Sequence, residues 1–182
     1  MKHLQTLHFL KKLSLALLAC LFFNACTIGT RNISLNYSSL TPQKTSKKVV
    51  VYVEKFKDER EDKETIGNLS NFFKNNFSEV KTTSNISKWV SSGLKEELQR
   101  EGFEISNDSD SRNKISGKIL KVSSNTSLES EGKIEVYIAV KIDNKIVSDK
   151  VYQFSSRKFN LRGTPESFEK SLEDSLRGIL GK

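Results

Sequence analysis

Histidine and cysteine are nearly missing from this sequence, and the few present share one place. His3, His8, Cys20 and Cys26 all fall within the first 26 of 182 residues. The rest of the chain therefore has no imidazole and no thiol. That excludes a Ser-His-Asp triad, a Cys-His pair and a zinc site built on His or Cys from the body of the chain. It also excludes a disulfide there, so a folded body must stand on its core alone. Proline is scarce, at two, and the only long apolar run, residues 13–23, falls short of the roughly 20 residues that span a bilayer. With 36% hydrophobic and 29% charged residues, one globular domain is expected rather than a disordered chain.

The apolar run sits where it carries the most information. Lys2, Lys11 and Lys12 precede it without any acidic residue, LSLALLACLFF follows, and Asn24-Ala25-Cys26 closes it. A basic start, an apolar stretch and a small residue before a cut define a secretory signal peptide. A buried core helix would show a polar face, and this segment shows none. Phe23-Asn24-Ala25-Cys26 resembles the lipobox of bacterial lipoproteins, in which a lipidated cysteine follows a small residue. Leu17-Leu18-Ala19-Cys20 is the alternative, at the cost of leaving Leu21, Phe22 and Phe23 in water. The resemblance implies residues 1–25 as leader, lipid on Cys26 and a stable membrane anchor of several acyl chains. By the same resemblance, Thr27 in place of an Asp implies the outer membrane; the domain is expected on the periplasmic side, although nothing in the sequence separates that from surface display.

Removing the leader lowers the formal charge from +8 to +5. Lysines alternate with glutamates, as on a solvated surface, so no nucleic-acid partner is expected. Residues 26–47, rich in Ser, Thr and Asn, read as the lipidated cysteine and a polar tether. The alternative is that Ile33, Leu35, Tyr37 and Leu40 pack on the domain. Residues 48–182 read as a periplasmic α/β domain. Val49 to Val53 predicts a buried strand. The mixed-charge run to Glu64 predicts a loop, and 65–81 a long excursion with one short strand at 77–81.

Ile86, Trp89, Val90, Leu94 and Leu98 recur at helical spacing, with Ser84 or Asn85 as cap and Gly102 at the end. Phe103 and Ile105 start a short strand, and 107–111 a turn. Strands are expected at 114–122, 133–142 and 146–154, the last two joined as a hairpin at Asp143-Asn144-Lys145. Pro165 opens a second helix, with Phe168, Leu172, Leu176 and Ile179 facing the core. The expected fold is α+β: a two-layer α/β sandwich with a mixed, mostly antiparallel sheet and two helices on one face.

This order carries further landmarks: Asp58 and Arg60 in the loop after the first strand, Ile66-Gly67, Trp89-Val90 opening the helix, and Gly102 ending it. Together with the lipid cysteine they resemble the YajG family of bacterial lipoproteins, over roughly residues 48–180. The resemblance implies an envelope address and brings no catalytic residues.

No metal or cofactor site is expected. The acidic run from Asp58 to Glu64 is interleaved with Lys and Arg, as in a solvated loop. Asp108-x-Asp110 lacks the glycine and closing glutamate of a calcium loop. Phe72, Phe73 and Phe77, in a polar stretch without periodicity, are a candidate partner-binding loop, unless they fold back on the sheet. The chain is expected to be no enzyme. It would bind an envelope protein or a cell-wall component while held to the membrane by its lipid. The alternative is an auxiliary subunit of an envelope lipid-transport or lipopolysaccharide-assembly system.

Overall fold

The computed structural model describes residues 29–38, 49–70, 76–127, 129–159 and 164–180. Cys20, Cys26, Phe72 and Phe73 lie outside them. Nine strands and two helices run in the order β1 (Arg31–Ile33), β2 (Val50–Val53), β3 (Lys57–Asp58), β4 (Thr65–Ser70), β5 (Asn76–Thr82), α1 (Ile86–Arg100), β6 (Glu104–Ser106), β7 (Lys114–Thr126), β8 (Glu129–Ile142), β9 (Lys145–Phe159) and α2 (Pro165–Leu180). The class is α+β.

β7 organises the sheet. Along one edge it takes three short parallel partners in succession: β2 at Lys114, β3 at Lys118 and β4 at Ser124. Along the other edge it pairs antiparallel with β8, which pairs antiparallel with β9. β5 extends β4 antiparallel, and β1 extends β5 parallel. The sheet is therefore open and mixed: the long β7–β8 and β8–β9 ladders are antiparallel, and the short strands along the other edge of β7 are parallel to it.

β5 matches the strand expected at 77–81, but β3 and β4, expected as irregular, are strands too: β3 interrupts the charged loop, and β4 pairs with β5 as a hairpin. The pattern of β4 was hidden by register shifts between Thr65 and Gly67 and between Leu69 and Ser70, which break the alternation that marks a strand. Gly67 is required where it is. A Cβ there would overlap the Ser124 carbonyl of β7.

Residues 29–38, inside the stretch read as a tether, supply β1 and two core side chains, Ile33 and Leu35. The β8–β9 hairpin turns through Asp143 (φ 48°) and Asn144 (φ 64°), the two positive-φ positions of a type I′ turn that Asn and Asp tolerate. In α1 the Asn85 side chain accepts the Lys88 N–H at 2.8 Å, and Gly102 (φ 89°) ends the helix. Ile86, Trp89, Val90 and Leu94 of α1 and Phe168, Leu172, Leu176 and Ile179 of α2 are buried with the sheet in one cluster.

α2 approaches the sheet through small residues. Gly132 on β8 lies so close that a Cβ would strike the Ser171 backbone. The Ser175 hydroxyl enters the β8–β9 ladder, accepting Ser156 N–H at 3.0 Å and reaching Gly132 O at 2.9 Å. Ser171 and Ser124 hydroxyls pair at 3.0 Å, both fully buried. Hydroxyls can sit inside this contact because each finds a partner.

Candidate functional site

Three places hold chemistry that a generic fold does not need. The first is the Asp58–Arg60 loop. Arg60 is 6% exposed and grips Asp58 side-on with one edge of its guanidinium, donating Nε to Oδ1 and Nη2 to Oδ2, each at 2.9 Å. Nη2 also donates to Lys63 O at 3.0 Å. Burial works against the Asp58 charge, but the hydrogen bonds and charge of Arg60 outweigh it and hold the carboxyl below its usual range. Asp62 ties the loop by accepting the Glu64 and Thr65 N–H groups, each at 2.9 Å. Glu59 lies between Lys57 and Lys118. A shallow cleft of 480 Å³ beside them is lined by Arg60, Thr65, Leu120 and Lys121. Asp58, Glu59 and Asp62 are thus engaged by bases or backbone, and the loop forms a clasp between β3 and β4.

The second place is where the segment after β1 crosses α1. Glu97 is 2% exposed on the apolar face of α1. Tyr37 donates its hydroxyl to Glu97 Oε1, and Arg100 Nη2 meets Oε2. Arg177 of α2 lies 5.8 Å from the Tyr37 ring centroid and pairs with Glu173 at 2.7 Å. Burial, and then the bond to Glu97, push the Tyr37 phenol above its ordinary value. Beside this network is a groove of 370 Å³ lined by Ser34, Asn36, Ser84, Lys88, Trp89 and Glu96. The buried Trp89 indole N–H has no acceptor among the described residues. The sequence held a sign of this network. Glu97 falls three residues after Leu94, on the apolar stripe, where a lone carboxylate demands partners.

The third place is the bare end of the β8–β9 hairpin. Ile142, Ile146, Val147 and Val151 are each about half or more exposed, at 49%, 61%, 56% and 55%. Asn113 binds this end to the start of β2, donating to Val50 O and accepting from Asp143 N–H.

No family model matches the sequence, and no curated protein is similar to it. Among solved structures, a Xanthomonas campestris protein of the DUF330 family aligns over 83% of this chain and 90% of its own, with TM-score 0.58 and 11% identity. The two share a fold. A second, uncharacterized protein aligns over 84% and 95% at TM-score 0.50 and 8% identity. A lipoprotein from Neisseria meningitidis is more distant, at TM-score 0.41 and 7% identity over 74% and 99%.

Of the residues named for lipidation or partner binding, Cys20, Cys26, Phe72, Phe73 and Phe77, only Phe77 falls among the described residues, by its backbone in β5. Among the described residues no group of His, Cys, Asp and Glu could hold a metal, and no helix is long and apolar enough to cross a membrane.

Proposed function

We propose that this chain is a YajG-like lipoprotein of the bacterial envelope. Lipid on Cys26 anchors it to the outer membrane with its domain in the periplasm, and it binds another envelope component without catalysing a reaction. The observation that carries this reading is the closeness of the leader to the fold. β1 begins at Arg31, five residues after Cys26, so an extended chain sets the lipid within about 18 Å of the sheet edge.

The geometry also orients the domain. β1 runs parallel to β5, and the Ser78 hydroxyl of β5 donates to Gly29 O. Followed back toward Cys26, the chain heads for the end of the sheet where Ser70 pairs with Asn76. The connection with Phe72 and Phe73 leaves from that same end, so a partner taken by these aromatics is met close to the membrane. The clasped acids and the absence of His and Cys from the body support binding over catalysis.

Mass spectrometry of the amino-terminal peptide from a membrane fraction tests the anchor. A di- or triacyl mass on Cys26, lost together with membrane retention in Cys26→Ala, is expected. An unmodified terminus in a soluble protein would sink the reading.

A further inference from the structure

We propose that β9 is a self-recognition edge, and that two copies of the chain join antiparallel through it about a two-fold axis at Gln153. β9 has 15 residues and, among the described residues, pairs on one side only, with β8. The Ser175 hydroxyl fixes which backbone groups are spent. It sits between Ser156 N–H and Gly132 O, and Ser156 and Gly132 are register partners. Even-numbered residues of β9 therefore turn their N–H and C=O toward β8, and odd-numbered ones turn theirs outward. Residues 149, 151, 153, 155 and 157 present that outward row, with no proline and, from Ser148 to Phe159, no register shift to blunt it.

The side chains select one register. Centring the axis on Gln153 sets Asp149 opposite Arg157 of the second copy, twice, and Tyr152 opposite Phe154. It sets Lys150 opposite Ser156 and Val151 opposite Ser155, so no like charges face each other. The neighbouring registers fail. An axis on Lys150 opposes that lysine to itself, one on Val151 sets Lys145 against Arg157, and one on Phe154 sets Lys150 against Lys158. Axes on Tyr152 and on Ser155 avoid these clashes but pair no charges. Like charges directly opposite one another oppose strand pairing, and opposite charges favour it. In the Gln153 register the Lys158 charge, diagonal to Lys150, is already met by Asp174 of α2 at 2.9 Å. Arg157 lies 3.2 Å from Glu131 on its own copy and would bridge that carboxylate to Asp149 of the other. The union continues the sheet from one copy into the next, and two anchors on one membrane raise the effective concentration that drives it.

Sedimentation of the full chain in detergent, with cysteine crosslinking in membranes, tests this. The parent chain should show a concentration-dependent dimer. Asp149→Arg should weaken it by about tenfold, since two attractions become two repulsions. Asp110→Arg, the same charge change in an exposed turn, should leave it unaltered. Gln153→Cys should form a disulfide-linked dimer, because directly opposed residues of a hydrogen-bonded pair stand about 5.5 Å apart. Val147→Cys, about 40 Å from its own copy in this register, should not crosslink above the parent chain with Cys20 and Cys26. A chain that stays monomeric, a dimer indifferent to Asp149→Arg, or equal crosslinking at 147 and 153 overturns the proposal.

Discussion

The two ends of the β8–β9 hairpin have similar alternating sequences and opposite fates. Near Glu129 and Phe159, α2 lies over the hairpin. Ser130, Ile134 and Val136 are fully buried, at 0% exposure. Toward the turn the same alternation continues through Ile138, Val140 and Ile142, yet Ile138 and Val140 are only partly buried and Ile142 is 49% exposed. Length explains the difference. A helix of 16 residues is about 24 Å long, whereas a strand of 14 residues extends about 47 Å. One helix covers half of such a hairpin, and alternation in a strand marks a face without saying whether anything lies on it.

Substitutions at the covered end should cost most. Leu172→Ala removes a fully buried side chain, and a loss of about 3–5 kcal/mol is expected in denaturant unfolding. The clasp at Asp58 ranks next, because the Arg60 it holds is nearly buried. Asp58→Asn leaves the nearly buried Arg60 guanidinium without its anion and should cost about 3 kcal/mol. Its pH dependence has a definite sign. The folded pKa of Asp58 is depressed, so its contribution is complete above the ordinary carboxylate value and is lost as pH falls through the folded one. An acid titration of stability should show this loss in the parent chain and not in the variant. Ser175→Ala strips a hydroxyl from the ladder and leaves Ser156 N–H bare, for about 1–2 kcal/mol. Ile146→Ser with Val147→Ser, at the bare end, should change stability by no more than about 0.5 kcal/mol while reducing binding of an apolar dye. A large loss there would show that the end is covered in solution.

Elements with strict periodicity were legible from sequence. The stripes of α1 and α2, the Asn85 cap, Gly102 and the Asp143-Asn144 turn all follow from local rules that the structure obeys. β3 and β4 were not legible, for a physical reason. Each is short and pairs with β7, more than 50 residues away, and β4 carries a glycine and bulges where alternation should be. Pairing direction is likewise a property of distant segments. The β8–β9 hairpin announces itself through its two-residue turn, whereas the parallel edge of β7 is assembled from pieces separated by loops and a helix. Of the sites, Asp58 and Arg60 could be read as a motif but not as a buried ion pair. Glu97 was missed, although its place on an apolar stripe was a sign: Arg100 follows on the same helix, but Tyr37 comes from 60 residues earlier.

The way β1 joins the sheet has a mechanical consequence. The strand is held side by side with β5 through Arg31, Asn32 and Ile33, and Ile33 and Leu35 are sunk in the core just beyond. Tension drawn through Gly29 runs along β1 and loads its rungs together, in shear, instead of peeling them off one by one. A three-residue strand at the margin of the sheet can thus act as a rivet, passing a pull from the amino-terminal side into the whole domain rather than fraying under it.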